Sequence, residues 1–300
     1  MSSDVQTFDA LLPPVMAEKA AQAGVRKAQA SFTSLFALGV LAGAFIAIGG
    51  MFSTVSTAGA AGMLPYGVIR VIAGLAFGLG LIMVVVGGAE LFTGNTLIVM
   101  AFASGKVSLT ALLRNWAIVY ASNFVGAVLT AGLVFVTGHY TAGQGSVGLN
   151  ILAIGEAKTA LAFVPALAMG ILCNTLVCMA VWLCFSARTT TDKILAIMMP
   201  IAAFVAASFE HSIANMYFIP LALFVKDGAP SAFWDLIQKT PADYPHLTWA
   251  NFGANLVPVT IGNIIGGAVM VGLVYWLIYL SGKHRSGSAA PNAASIAEKG

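Results

Sequence analysis

Two carboxylates lie inside apolar stretches of this sequence, and each is followed five residues later by an asparagine. Glu90 precedes Asn95 in GGAELFTGNT, and Glu210 precedes Asn215 in ASFEHSIANM. An ionisable side chain in the middle of a bilayer costs about 3 kcal/mol on insertion scales, so such a residue by default faces a protein-lined or watery interior. His211 adds a side chain of the type that changes charge near neutral pH. The duplicated polar interruption predicts a membrane protein that moves a small polar solute.

The composition independently indicates a membrane protein. Apolar residues make up 59% of the chain and charged residues 8%, with a mean hydropathy of +0.91, whereas a soluble domain carries about 25% charged residues. Backbone polar groups in hydrocarbon must be satisfied within the spanning structure, and these apolar runs are too long and uniform for barrel strands, so an all-helical bundle is predicted. Six segments reach the roughly 20 residues that a spanning helix needs: Phe32 to Phe52, Val68 to Ala89, Leu112 to Val136, Leu161 to Phe185, Ile194 to Val225 and Phe252 to Leu280.

Basic residues predict the orientation of these spans, because the side that holds most Lys and Arg is usually cytoplasmic. The N-terminus, the second and fourth loops and the C-terminus hold Lys19, Arg26, Lys27, Lys106, Arg114, Arg188, Lys193, Lys283, Arg285 and Lys299, and the other side holds Arg70, Lys158, Lys226 and Lys239. We therefore expect a multi-pass protein of the cell (inner) membrane with both termini in the cytoplasm. No cleavable signal peptide is expected, because acidic residues precede the first apolar run. The net charge of +3 comes from these loops and does not indicate nucleic acid.

The chain is predicted to have three parts: an amphipathic cytoplasmic segment at 1–31, a six-helix transmembrane channel domain at 32–280 and a disordered cytoplasmic tail at 281–300. Apolar residues in the first part recur near helical spacing, at Phe8, Leu11, Leu12, Val15 and Met16. Pro13 and Pro14 fit only the first turn of such a helix. It is either an interfacial anchor or a gate over a pore mouth.

An internal repeat extends beyond the two polar interruptions. Asn115 and Asn123 accompany FVGAV after the first, and Asn255 and Asn263 accompany IIGGAV after the second, and the two asparagines are eight positions apart in both cases. Three spans followed by three, each half with one interrupted helix, predict an inverted repeat. Interrupted helices aim N-terminal ends at the midplane, where unpaired N–H groups favour an anion.

Other chemistry has little support. Cys173, Cys178 and Cys184 scatter around one predicted helix and are interpreted as packing residues. No His or Cys cluster has metal-ligand spacing and no Gly-rich loop follows a strand, so neither metal nor cofactor is predicted. An intramembrane hydrolase with Glu210 and His211 as a dyad is disfavoured, because neighbours on a helix point about 100° apart, and no enzyme activity is expected. A neutral-solute channel of the aquaporin type would show Pro and Arg at its breaks, and neither break contains them.

Four segments closely resemble the signatures of the formate/nitrite transporters: GGAELFTGNT, FEHSIANM, NFVGAV and VTIGNIIGGAV. The resemblance runs from FDALLPPVMAEKAAQAGV to GLVYWLIYL, and HLTWANFGANLVPVTIGNIIGG is most similar to the formate channels. AELFTGNT leans toward the nitrite or hydrosulfide branches, so formate is the expected substrate while nitrite, hydrosulfide and acetate stay open. The resemblance implies an aquaporin-like protomer and a homopentamer in the lipid bilayer, with one pore per protomer.

The resemblance also implies roles for individual residues. His211 and Thr93 match the central pair, Asn174 and Glu210 match polar neighbours, and Lys158 matches a basic residue of the outer vestibule. The apolar constrictions correspond to Phe77, Leu81, Leu91, Phe92 and Phe204. Without the family resemblance, this apolar set would be interpreted as ordinary packing.

A comparison of energies suggests the mechanism. Carrying a bare carboxylate through a dry apolar slit approaches a cost of tens of kcal/mol, whereas protonating an acid with a pKa near 4 at neutral pH costs roughly 4 kcal/mol. We therefore expect anions to gather in a positive vestibule, cross the first slit with help from the break dipoles, and meet His211, which donates or shares a proton. Net anion flux and proton-coupled transport both remain open.

Overall fold

The structure, a computed structural model, describes residues 10–282, and within this range every regular element is helical. The helices are α1 (Pro13–Gln29), α2 (Phe32–Thr57), α3 (Tyr66–Gly87), α4 (Phe92–Ala103), α5 (Leu109–Val136), α6 (Ser146–Thr159), α7 (Phe163–Ser186), α8 (Thr190–Ala206), α9 (Ser212–Gly228), α10 (Ser231–Ile237) and α11 (Trp249–Tyr279). Single 3-10 turns lie at His139–Thr141 and Pro241–Asp243. The helices α2, α3, α5, α7 and α11 are long and apolar enough to cross a membrane. The predicted all-helical membrane protein is confirmed.

Two interruptions divide long apolar regions at the positions of the repeated Glu and Asn pattern. The first, at 88–91, begins with Gly88 at φ +77°, a left-handed conformation that favours glycine. The second, at 207–211, contains Ser208 at φ +60°. The run drawn from Ile194 to Val225 is therefore not one continuous helix but two, α8 and α9, as the polar residues inside it predict.

Helix α1 forms where the sequence predicts it, with prolines at its first positions, where a missing N–H costs nothing. Of the apolar residues that recur at helical spacing, Met16 is buried, whereas Leu12 and Val15 are exposed, by 70% and 46%. Small residues carry the contact instead, since they let the helix approach the body closely. The buried residues of α1 are Met16, Ala17, Ala20, Ala21, Gly24 and Ala28. Phe8 and residues 283–300 lie outside the described range, so the predictions for them stay predictions.

Polar contacts tie α1 to the end of α7. The N–H of Leu11 donates to the carbonyl of Ser186 at 3.3 Å, and Nζ of Lys19 donates to the carbonyl of Phe185 at 3.1 Å. Burial lowers the pKa of Lys19, and the nearby charge of Lys193 lowers it further, since both disfavour the charged ammonium. These contacts hold α1 over the same end of the molecule as the first interruption.

Glycines let the long helices cross at backbone distance. A Cβ on Gly126 of α5 would lie 2.0 Å from the carbonyl oxygen of Val40 in α2, and one on Gly266 of α11 would lie 2.1 Å from that of Ile171 in α7. The two crossings are counterparts in the two halves of the chain. Each crossing places an asparagine against an interruption: Asn123, three residues before Gly126, and Asn263, three residues before Gly266.

Candidate functional site

The two chain interruptions meet at a buried pair, Thr93 and His211. Oγ1 of Thr93 lies 3.0 Å from Nε2 of His211, and the residues are 0% and 3% exposed. His211 is the N-cap of α9, and its Nδ1 accepts the backbone N–H of Ala214 at 3.1 Å. A backbone N–H can only donate, so the proton of a neutral ring lies on Nε2, facing Thr93.

Asn123 of α5 clamps the first interruption. Its Oδ1 accepts the N–H of Phe92 at 2.9 Å, and its Nδ2 donates to the carbonyls of Glu90 at 2.9 Å and Gly39 at 2.8 Å. One buried amide therefore satisfies groups on both sides of the break and ties them to α2. This leaves the extended segment with a fixed shape.

Asn263 of α11 clamps the second interruption with the same atoms. Its Oδ1 accepts the N–H of Ser212 at 2.8 Å, and its Nδ2 donates to the carbonyls of Glu210 at 3.0 Å and Gly170 at 2.8 Å. The correspondence with Asn123 is complete, bond for bond. The two breaks are therefore built by one repeated device.

A Lys, Glu and Asn network adjoins the first break. Nζ of Lys27, on α1, donates to both carboxylate oxygens of Glu90 and to Oδ1 of Asn95, each at 2.9 Å. Nδ2 of Asn95 donates to Glu90 at 2.7 Å and to Oδ1 of Asn115 at 2.9 Å, and Asn115 donates back to the carbonyl of Lys27 at 2.9 Å. The Glu90 carboxylate is thus neutralised and hydrogen-bonded, as a buried charge requires.

The second break has the matching network. Nζ of Lys158, on α6, donates to Glu210 at 2.8 Å, and Nδ2 of Asn215 donates to Glu210 at 2.6 Å and to Oδ1 of Asn255 at 2.7 Å. Asn255 donates back to the carbonyl of Lys158 at 2.9 Å. One difference stands out: Oδ1 of Asn215 is buried without a partner within residues 10–282. Nζ of Lys158 donates to one oxygen of Glu210 and not to Asn215, whereas Lys27 makes all three equivalent bonds, so Lys158 keeps spare donor capacity.

Each network opens into a cavity. The Lys27 cavity has a volume of about 570 Å³, and the charged residues in its lining are Lys19, Arg26, Lys27, Glu90 and Lys193. The Lys158 cavity has a volume of about 230 Å³, and the charged residues and histidine in its lining are Arg70, Lys158, Glu210 and His211. Lysine and arginine exceed carboxylates in both linings. Both cavities favour anions.

Four of the apolar residues that the resemblance implies as constrictions line the two cavities. Leu81 and Leu91 line the Lys27 cavity, whereas Phe77 and Phe204 line the Lys158 cavity. The rings of Phe77 and Phe204 meet edge to face at 5.7 Å, and the ring of Phe204 stacks 6.0 Å from that of His211. His211 therefore lies at the wall of the Lys158 cavity beside two aromatic rings.

Three residues that the resemblance assigns to the pathway, Thr93, Phe92 and Asn174, line neither cavity. Thr93 lies two residues after Leu91, which lines the Lys27 cavity, and it contacts His211, which lines the Lys158 cavity. Asn174 donates to the carbonyl of Asn263 at 2.6 Å. The ring of Phe92 packs against that of Tyr120, with centroids 4.9 Å apart. The structure thus gives Phe92 and Asn174 packing and hydrogen-bonding partners inside the protein wall.

Sequence reasoning missed five residues of this site: Lys27, Asn115, Asn123, Asn255 and Asn263. The four asparagines had a signal, since their equal spacing in two similar segments marks the repeat. Lys27 had none, because a lysine near a predicted helix end looks like any solvated loop charge. Its ion pair with Glu90 at 2.9 Å links positions far apart in the chain.

The fold and site define a class of protein: a helical membrane transport protein with two basic cavities and a buried Thr and His pair at its chain interruptions. The sequence profile described as formate/nitrite transporter matches residues 14–277. The chain belongs to this family, which makes it a transporter and not an enzyme.

Individual relatives agree. The chain is 46% identical over 274 residues to the formate channel FocA of Escherichia coli strain K12, covering 91% of this chain and 96% of the relative. It is 40% identical over 276 residues to FocA of Haemophilus influenzae, covering 91% and 97%. A solved structure described as a pentameric formate channel with formate bound matches with a TM-score of 0.79 and 47% identity, covering 83% of this chain and 98% of that one. An FNT family ion channel matches with a TM-score of 0.74 and 29% identity, covering 88% and 98%.

Proposed function

We propose that this protein is a formate channel of the cell membrane, a homopentamer with one pore in each protomer. The observation that carries the proposal is the 3.0 Å contact between Thr93 and His211, set between two cavities rich in basic residues. Two relatives named as formate channels and a pentameric formate-bound neighbour support the substrate and the assembly.

The pathway runs from one cavity to the other through the central pair. Lys27 and Lys158 concentrate anions at the two mouths. Leu81 and Leu91 on one side, and Phe77 and Phe204 on the other, exclude water and hydrated ions. The N-terminal ends of α4 and α9 contribute positive dipole ends at the centre, which favour an anion there.

Neutralisation of the substrate at the centre lowers the cost of this passage. His211 shares a proton through its Nε2–H and the Thr93 hydroxyl, rather than donating one as an imidazolium ion. The support is the 3.1 Å bond from the N–H of Ala214 to Nδ1. An imidazolium would aim a second N–H at that donor and lose the cap. The proton that accompanies formate then comes from water in the cavities.

The architecture proposed here has six spans arranged as an inverted repeat, with α3 continuing into α4 and α8 continuing into α9 as the two interrupted helices. The matching clamps of Asn123 and Asn263 support a repeat, and an even number of spans agrees with both termini lying in the cytoplasm. Residues 1–31 form the cytoplasmic segment and 32–280 the channel domain, and residues 283–300 of the predicted tail lie outside the described range.

Flux measurements in proteoliposomes test the function. The full chain should conduct formate well above glycerol and water, and parallel assays with nitrite, hydrosulfide and acetate rank the substrates. Glycerol flux equal to formate flux would overturn the anion channel and favour a neutral-solute pore.

The central histidine is tested by His211→Phe, which keeps an aromatic ring of similar size but removes the shared proton and the helix cap. We expect loss of pH-dependent formate uptake while the pentamer still assembles. Formate uptake in His211→Phe that follows the wild-type pH curve would end the proposed role of His211.

A further inference from the structure

A buried polar cluster surrounds the main-chain carbonyl of Thr93. Its oxygen accepts Oγ1–H of Thr96 at 2.6 Å, Nδ2–H of Asn174 at 3.2 Å and Sγ–H of Cys178 at 3.4 Å. All four residues are 0% exposed. Three donors converge on an oxygen that has two lone pairs, so this carbonyl is held more tightly than an ordinary helical one.

Space for the cluster comes from Gly267, in a π-helical segment of α11 at Ile265–Leu273. A Cβ at this position would lie 2.0 Å from Oγ1 of Thr96, 2.4 Å from Nδ2 of Asn174 and 2.8 Å from Sγ of Cys178. Any side chain on residue 267 would therefore displace the donors from the Thr93 carbonyl. π-helical turns inside α-helices are frequent at functional sites.

The cluster has no counterpart in the other half of the described chain, although the clamps and the Lys, Glu and Asn networks do. Each residue is matched by the difference in residue number between the two clamps on the same element. That difference is taken from Glu90 and Glu210 for Thr93 and Thr96, from Gly39 and Gly170 for Asn174 and Cys178, and from Asn123 and Asn263 for Gly267. Those of Thr93, Thr96, Asn174, Cys178 and Gly267 are Ile213, Met216, Gly43, Ala47 and Ala127. The same place in the other half is thus apolar, and the residue it supports there is Ile213. A cluster needed only for helix packing would be expected in both halves.

We propose that Thr96 and Cys178 are positioning residues for selective permeation, which hold the Thr93 hydroxyl against His211 by fixing the Thr93 carbonyl. The proposal rests on the proposed role of the Thr93 and His211 pair. The carbonyl is part of the backbone of Thr93. When the carbonyl is fixed, the backbone of this residue is fixed, and this restricts where its side-chain hydroxyl can point. When its oxygen accepts Nε2–H of His211, the Thr93 hydroxyl has its own O–H left to donate to the passing anion.

The test uses Thr96→Val in the full-length channel, because valine matches threonine in shape and removes only the hydroxyl. We expect the preference for formate over chloride, measured in proteoliposomes per assembled pentamer, to fall about threefold to tenfold, the range for one lost buried hydrogen bond. The pH profile of formate uptake should change as well. Thr96→Ser, which keeps the donor, should restore both, and Cys178→Ala should cause a smaller loss because a thiol is a weak donor.

Met216→Leu is the matched control, since Met216 is the counterpart of Thr96 in the apolar half, and it should leave selectivity and pH profile unchanged. Wild-type selectivity and pH profile in Thr96→Val would overturn the proposal and assign the cluster to packing. If Thr96→Val does not assemble, wild-type values in Cys178→Ala overturn it instead. His211→Phe in the same assay separates the two ideas: normal permeation in that variant refutes the central pair itself, whereas a defect there beside a normal Thr96→Val refutes the positioning cluster alone.

Discussion

At the residue scale, the Thr93 and His211 pair is not repeated in the two halves of the chain, although the asparagine clamps beside it are. The Asn clamps occur twice with the same hydrogen bonds, but Thr93 and His211 each occur once, and their counterparts are Ile213 and Leu91. In the proposed pathway, an anion therefore meets one polar pair between apolar layers rather than two equivalent sites. A single polar step limits how tightly the substrate is held, which suits conduction.

Phe204→Ala tests the apolar layer, because this ring contacts both Phe77 and His211. The smaller side chain should widen the slit, admit water and raise lactate flux relative to formate by about tenfold, since the barrier is steric and dielectric. Flux of the two acids is measured in the same vesicles. Phe224→Ala removes a ring that packs against Phe135 and lines neither cavity, and it serves as the control. An unchanged lactate to formate ratio in Phe204→Ala would assign Phe204 to packing.

Lys158→Gln tests anion capture at the smaller cavity. Charge reversal is unsuitable, because Lys158 lies 2.8 Å from Glu210 and a second carboxylate there would repel the first. We expect formate uptake to fall several-fold at low ionic strength and much less near 0.15 M salt, which screens charges beyond about 8 Å. Lys239→Gln, an exposed lysine outside both cavities, is the control. Equal losses at low and high salt would instead mean that Lys158 acts by neutralising Glu210.

At the scale of helices, the two interruptions keep their non-helical shape because asparagines on other helices hydrogen-bond to their backbone groups. Each break exposes backbone groups inside the protein, and these need partners because water is scarce there. Asn123 and Asn263 supply the partners from α5 and α11, whose glycine crossings bring them close enough. The clamps convert a costly gap in a helix into a rigid support for the central pair.

Asn263→Asp should destabilise the protein strongly. A carboxylate keeps the size of the side chain but cannot donate to the carbonyls of Glu210 and Gly170, so two buried acceptors lose their partner and a charge is added. We expect a loss of about 2 to 6 kcal/mol, from roughly 1–3 kcal/mol for each of the two unsatisfied groups, read as a lower unfolding temperature in detergent. Asn251→Asp, at an asparagine that bonds an exposed loop carbonyl, should change it little. Similar unfolding temperatures for the two variants would refute the clamp.

Much of this element-level arrangement could be predicted from sequence, and the limit has a physical origin. Glu90 and Glu210 identify the breaks, because a charge in an apolar run is too costly to keep unless the protein encloses and pairs it. The same reasoning says nothing about Lys27, whose partner is 63 residues away, or about α1, whose contact face is built of alanines rather than the leucines that hydrophobic periodicity marks. The ring of Phe92, for which the resemblance implies a constriction, packs on Tyr120, a contact that local pattern does not indicate. Local pattern indicates burial, but pairing depends on how distant helices cross.

At the scale of the whole molecule, the two cavities differ in a way that bears on orientation. The Lys27 cavity, of about 570 Å³, is lined by three further basic residues, Lys19, Arg26 and Lys193. The Lys158 cavity, of about 230 Å³, is lined by one further basic residue, Arg70. The excess of basic residues at the first mouth agrees with a cytoplasmic location under the positive-inside rule. Labelling of cysteines introduced at Lys106 and Lys239 in intact cells would test it, since only the second should react with an impermeant reagent.

The proposed assembly predicts how defects combine. If every protomer has its own pore, each His211→Phe protomer disables only itself, so the pH-dependent flux of mixed pentamers should fall in direct proportion to the mutant fraction. A pore shared between protomers would instead be spoiled by a single defective member, because the subunits of a closed ring contribute equivalent surfaces. Co-expression of differently tagged wild-type and His211→Phe chains, with tandem purification of mixed pentamers at known ratios, gives the dependence directly. A straight line supports one pore per protomer, whereas near-complete loss at an equal mixture would place the pathway between subunits and contradict the route through Thr93 and His211.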